Sequence, residues 1–358
     1  MRYIYILLGV FLIAPGHAAE LRQPLPSVQA LVGVRVVTAP GEVLNSATVV
    51  VRDGIIEAVG SEVEAPPDAD VIEFQRDEDQ PPVTVYPGLI DPYLPLETGN
   101  AGEDEAEAPE TPPGRHPLVV PDFAPGAAHW PSDKVQVYRE AGFTTALIAP
   151  AGGLLRGQSV LANLGDGGFA ANLLREGVAQ HAHLNESAPG GVYPQSLMGA
   201  VALFRQTLMD AEWQARARAA WQRNPSQTRP RWMEGLDALA PVLSGDTPLV
   251  VESGDVLDSL RILSLVDENI NLVLLGHGAE YRRLNDFRRK PPHILPLDFP
   301  SAPEVKDEND RDVSLEDLRH WKFAPENPAR MIDAGFEVLF TAHRQSSPAD
   351  LFAAVASA

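Results

Sequence analysis

The stretch Tyr86-Pro87-Gly88-Leu89-Ile90-Asp91, continuing as Pro92-Tyr93-Leu94-Pro95, divides the chain into two rhythms. From Val83 onward, short apolar runs alternate with longer helical segments, the pattern of repeated βα units. Eight runs read as strands: Val83–Ile90, Thr144–Ala149, Ser159–Leu164, Val178–Leu184, Leu249–Glu252, Leu272–Leu275, His293–Leu297 and Val338–Thr341. Eight such runs suit a (β/α)₈ TIM barrel, the fold class expected for residues 86–358. Leu197–Trp221 and Val256–Asp267 read as helices between them. Leu197, Val201, Phe204, Leu208 and Ala211 share one face of the first, a stripe that packs on a core.

Upstream, residues 28–85 read as β structure and are expected to form part of a small β-sandwich. Ala30–Val37 and Ala47–Arg52 are rich in β-branched residues, and Val71–Phe74 is a further short strand. Asp53-Gly54, between Ala47–Arg52 and Ile55–Val59, predicts a tight hairpin, because its turn needs positive φ at both central residues.

Residues 1–19 read as a secretory signal peptide. Arg2 supplies the positive start, Ile4–Ile13 the apolar run, and Gly16-His17-Ala18 the small-residue end. The run is short for a membrane span, so the expectation is an exported, secreted or periplasmic protein with no integral span after cleavage. The chain has 358 residues, 44% of them hydrophobic, and no cysteine. That excludes disulfides and thiolate metal sites and leaves stability to the core. A net charge of −21 repels nucleic acid and anionic lipid. Two acidic stretches, Glu103–Glu110 and Asp307–Asp310, read as solvated loops.

The Pro87-Gly88-Leu89-Ile90-Asp91 run resembles the first barrel strand of the amidohydrolase superfamily. Pro67-Asp68-Ala69-Asp70-Val71-Ile72-Glu73 is similar to the stretch that precedes the barrel there. Leu274–Arg282 resembles the imidazolonepropionase-like branch. The resemblance spans residues 30–358 and implies a TIM barrel that hydrolyses carbon–nitrogen bonds with a bound divalent metal. It places two metal-binding histidines on strand one, one each on strands five and six, and an aspartate on strand eight. This chain has Tyr93 and Pro95, Glu252, His277 and His343 at those positions. Only His277 matches, and stable zinc sites need three or four protein ligands.

Two functions therefore stand side by side. In one, the barrel is a catalytically degenerate ligand-binding domain, or a subunit supporting a related amidohydrolase. In the other, hydrolysis uses zinc or another divalent metal at a site rebuilt from His181, His183, His277 and His343, with Glu252 as ligand or base. His181 and His183 alternate on one strand and so share a face. The plainer reading is that all five are polar residues lining a cleft. Tyr93, Arg156 in the glycine-rich Gly152–Gly157 run, and Asp298 after strand seven are candidates for contact with a small molecule. The run is expected either to present backbone amides to an anion or to be a flexible loop. The family's returning sandwich strands have no counterpart before Ala358, so the sequence is expected to be truncated or its sheet edges covered by another chain.

Overall fold

The computed structural model describes residues 28–74, 81–96, 115–184, 193–303 and 313–358. The expected signal peptide and both acidic stretches lie outside the described residues. The chain divides into two compact units, Met1–Pro87 and Gly88–Ala358.

In the first unit β1 (Val28–Ala39), β2 (Glu42–Arg52), β3 (Ile55–Gly60), β4 (Asp70–Glu73) and β5 (Thr84–Val85) form one sheet. β1 and β2 pair antiparallel, as do β2 and β3, while β4 and β5 run parallel to β1. The β2–β3 turn is the expected one, with Asp53 at φ 51° and Gly54 at φ 79°. Side-chain alternation, reversed in β1 by a bulge between Val32 and Val34, gives each face an apolar cluster: Val34, Val36, Ala47 and Val49 on one, Val28, Ala30 and Val50 on the other.

The second unit opens with β6 (Leu89–Pro95), α1 (Ser132–Glu140), β7 (Phe143–Ala149), β8 (Leu155–Gln158), β9 (Val160–Asn163), α2 (Gly168–Asn172) and β10 (Leu173–Arg175). It continues with β11 (Gln180–His183), α3 (Leu197–Arg223), α4 (Ala240–Leu243), β12 (Leu249–Glu252), α5 (Val256–Leu265), β13 (Leu272–Leu275) and β14 (His293–Pro296). It ends with α6 (Leu315–Phe323), α7 (Asn327–Asp333), β15 (Val338–Thr341) and α8 (Asp350–Ser357). Ser196 and Asp255 cap α3 and α5 by accepting from Gly199 N and Asp258 N. Phe204, Leu208 and Ala211 bury the expected face of α3.

The strands do not close into one hydrogen-bonded barrel, which corrects the eight-staved expectation. Among the described residues they form two sheets, ordered β10-β9-β7-β6 and β15-β14-β13-β12-β11-β8. The run from β11 to β15 is parallel throughout, as βα repetition requires.

The departures come at two places. The expected third stave, Ser159–Leu164, is antiparallel: β9 pairs that way with β7, and β8 pairs that way with β11. Only residues 150–159, which include β8, separate β7 from β9, too few for the crossover a parallel pair needs. The first stave is Leu89–Pro95 rather than Val83–Ile90. The β-branched Val83-Thr84-Val85 run instead contributes β5 to the other unit. No ladder joins β6 to β15 among the described residues. Pro92 and Pro95 remove two donors from β6, leaving a strand suited to an edge.

Most of the core of the second unit lies between the strands and the helices, around Phe143, Ile148, Leu155, Phe204, Leu249, Ile262 and Leu274. A smaller cluster of Tyr93, Ala149, Ala179, Val250, Leu275 and Ile294 is formed by the alternate residues of the same strands.

Candidate functional site

Strand alternation brings Tyr93 of β6, Arg156 of β8, His181 of β11, Glu252 of β12 and His343, just after β15, into one cluster. Arg156 Nη1 donates to Glu252 Oε2 at 2.8 Å and lies 3.4 Å from the Tyr93 hydroxyl. Arg344 Nη2 donates to the other Glu252 oxygen at 3.3 Å. Each carboxylate oxygen thus faces a guanidinium. The Tyr93 ring packs between two imidazoles, 5.9 Å from the His181 centroid and 5.1 Å from that of His343.

Burial and charge set the protonation of the group. Burial would raise the Glu252 pKa, but the Arg156 guanidinium, aided by His183 and Arg344, holds it below the ordinary value. Burial pushes the Tyr93 phenol up to about 12. It pushes His181 down to about 3, with Arg156 adding to the effect, and His343 down to about 4, with Arg344 adding there. At neutral pH both rings are uncharged beside two fixed cations. His181 Nε2 is buried with no hydrogen-bond partner among the described residues.

His183 is half-buried and stands beside Glu252 in the β11–β12 register. His277 belongs to a different cluster. Its Nδ1 lies 3.1 Å from Glu280 Oε1, too poorly aligned to count as a hydrogen bond, and its backbone N donates to the same oxygen at 2.9 Å. Asn327 Nδ2 donates to Glu280 Oε2 at 2.8 Å. Burial would raise the Glu280 pKa, but the His277 ring and backbone amide, aided by the nearby His293, hold it down at about 2. Asp298 is exposed, two residues beyond β14. Its carboxyl is nonetheless partly shielded from water by its surroundings, which raises its pKa against the pull of Arg344.

The second half of the glycine-rich run belongs to β8. The Leu154 and Leu155 amides both donate to Leu118 O, and Leu154, Leu155 and Arg156 are buried. At Gly157, φ is 107° and a Cβ would come within 2.3 Å of Phe123 O. Glycine there lets the 116–123 segment lie against β8. Of this run, Arg156 is the member that reaches the cluster through its side chain.

Arg344, Lys134, Asp91 and Glu280 went unassigned in the sequence. A cleft of about 710 Å³ opens beside the cluster, lined by Lys134, His343 and Arg344 together with Pro95, Leu96 and Tyr138. Arg344 follows His343 directly and Glu280 follows His277 by three residues, so their positions were visible while their partners were not.

A solved amidohydrolase from Thermotoga maritima MSB8 matches this geometry of strands and helices. Its TM-score is 0.68 at 16% identity, over 92% of this chain and 82% of its own. The fold is amidohydrolase-like. A prolidase solved with N-methylphosphonate-L-proline gives a TM-score of 0.40 at 12% identity, over 88% of this chain and 78% of its own, too distant to argue from. No protein-family model matches the chain, and no curated protein does.

The amidohydrolase-like fold raises the question of a metal, and the residues present do not fit one. Among the described residues, no group of three or more His, Asp or Glu side chains converges on one point. His277 is engaged with Glu280, and both oxygens of Glu252 face arginines. The donors proposed for a rebuilt site are thus divided between two clusters, and one cluster already holds two cations.

Proposed function

We propose that this chain is an amidohydrolase-like domain that binds a small molecule without metal-dependent hydrolysis. One observation carries the reading: Glu252, the strand-five candidate, is held by Arg156 and Arg344 where a divalent ion would need it. A guanidinium neutralises a carboxylate and supplies donors to it, but it cannot lower the pKa of a bound water as a metal does. The neutral His181 and His343 rings around Tyr93 complete a polar pocket floor. Resemblance to the imidazolonepropionase-like branch, a role supporting a related hydrolase, and export through residues 1–19 all belong to the same proposal.

The test is metal content by plasma emission after dialysis, with turnover of a cyclic amide before and after adding zinc. The expected result is substoichiometric metal and no turnover. Stoichiometric zinc lost in His181→Ala, together with zinc-dependent turnover, would overturn the reading. Amino-terminal sequencing of protein recovered from the envelope fraction tests export: a start at residue 19 or 20 supports it, and an intact Met1 removes it.

A further inference from the structure

Arg344 sits in a conformation that arginine rarely adopts. Gln345 N donates to Ala342 O at 3.1 Å, closing a four-residue turn with Arg344 in its third position at φ 69°. Glycine or asparagine favours that corner, because Cβ crowds the backbone there. Asp53, the other non-glycine residue with positive φ among those described, belongs to the Asp-Gly hairpin. Strain of this kind persists only where the surrounding structure holds it in place.

What the strain achieves is a guanidinium at the cleft. Arg344 lines it with Lys134, whose ammonium also donates to Pro95 O at 3.3 Å. Leu96, Val137 and Tyr138 supply apolar wall, and Asp133 puts one carboxylate on the rim. Arg344 is only partly buried, and its contact with Glu252 is the longer of the two arginine contacts, 3.3 Å against 2.8 Å. Glu252 can therefore keep Arg156 while Arg344 turns to another acceptor. Its present acceptor is a carboxylate, the group a guanidinium fork matches best.

Resting on the ligand-binding reading above, we infer that this cleft takes a small monocarboxylate with an apolar body, whose carboxylate displaces Glu252 from Arg344. Lys134 adds positive charge at the same end, and the apolar wall receives the rest of the molecule.

Calorimetric titration of the full chain with phenylacetate tests this, with phenylacetamide and benzylamine as neutral and cationic counterparts. Phenylacetate is expected to bind saturably, and the other two at least about tenfold more weakly, the loss of one charge-assisted contact. Arg344→Asn removes the charge but suits the turn. It is expected to weaken phenylacetate binding by about tenfold or more while Tm stays within about 2 °C of wild type or rises. Glu252→Gln removes the competing carboxylate and is expected to tighten binding by about threefold. No saturable phenylacetate binding, equal binding of phenylacetamide, or unchanged affinity in Arg344→Asn would each overturn the inference. Zinc-dependent turnover would instead sink the non-hydrolytic reading and leave the carboxylate site standing.

Discussion

Asp91 accepts a 2.7 Å hydrogen bond from the Thr341 hydroxyl, joining two strands 250 residues apart in sequence. The same carboxylate accepts from Tyr93 N at 2.9 Å and from Ala342 N at 3.0 Å. Thr341 Oγ1 also lies 3.0 Å from Tyr93 O. A buried side chain thus supplies, between β6 and β15, the connection that no backbone ladder makes among the described residues. It also fixes both elements that carry the pocket, Tyr93 on one side and the His343-Arg344 turn on the other.

Asp91→Ala leaves two buried backbone donors, Tyr93 N and Ala342 N, without their acceptor, and the Thr341 hydroxyl with Tyr93 O alone. Unsatisfied buried groups cost about 1–3 kcal/mol each before relaxation, so an overall loss of about 3 kcal/mol is expected. Thr341→Val removes one donor to Asp91 and the acceptor of His343 N, and is expected to cost about 1–2 kcal/mol. Urea unfolding with an unchanged slope measures both. An Asp91→Ala loss no larger than that of Thr341→Val would refute the shared-acceptor account.

Gly88 and Gly54 separate two uses of glycine. A Cβ on Gly88 would fall 2.2 Å from the Thr144 side chain, so Gly88→Ala is expected to cost about 1–3 kcal/mol through overpacking, with partial recovery in Gly88→Ala/Thr144→Gly. Gly54 has open space around it but φ of 79°, so Gly54→Ala is expected to cost about 1 kcal/mol from backbone conformation alone. No neighbour substitution recovers the second loss. Thermal unfolding of the double variants shows which cost is steric.

Acid should destabilise the protein from about pH 6.5 downward. His181 and His343 have folded pKa values of about 3 and about 4 against an ordinary 6.5, so the unfolded chain binds more protons between those limits. Glu280, held at about 2 against 4.5, adds loss from pH 4.5 downward. Asp91 works in the opposite sense, since burial raises its pKa and its protonation favours the folded state. Stability measured from pH 7 to pH 4 is expected to fall, and His181→Gln is expected to flatten the slope. A wild-type profile already flat between pH 6.5 and pH 4.5 would contradict the burial of these rings.

Arg156 and Glu252 are both largely buried, with side chains 7% and 16% exposed, so removing Arg156 leaves the carboxylate with only the longer Arg344 contact. Arg156→Met is expected to cost about 3 kcal/mol or more, and Arg156→Met/Glu252→Met to recover much of it by replacing the pair with apolar volume. A double-mutant cycle on denaturant midpoints checks the coupling. Additive losses would mean the pair does not interact in solution.

The sequence was most legible where a local rule decided the outcome. Leu249–Glu252, Leu272–Leu275 and Val338–Thr341 are strands at the expected bounds, because short β-branched and leucine runs between helices have few alternatives. The Asp53-Gly54 turn likewise depends on two residues. Ser159–Leu164 was legible as a strand but not as an antiparallel one, since direction depends on partners far along the chain. In Gly152–Gly157 the role of Gly157 was not legible, because its close packing against Phe123 depends on a segment distant in sequence.

The sequence by itself determined the alternation of strands and helices and the hairpin. These follow from residue type and spacing within a few neighbours. Only the tertiary structure decided that Asp91 ties β6 to β15, that His277 turns to Glu280, and that two arginines from distant segments share Glu252. Electrostatic and hydrogen-bond partners are set by proximity in space, and a chain's order does not state which of its distant charges will meet.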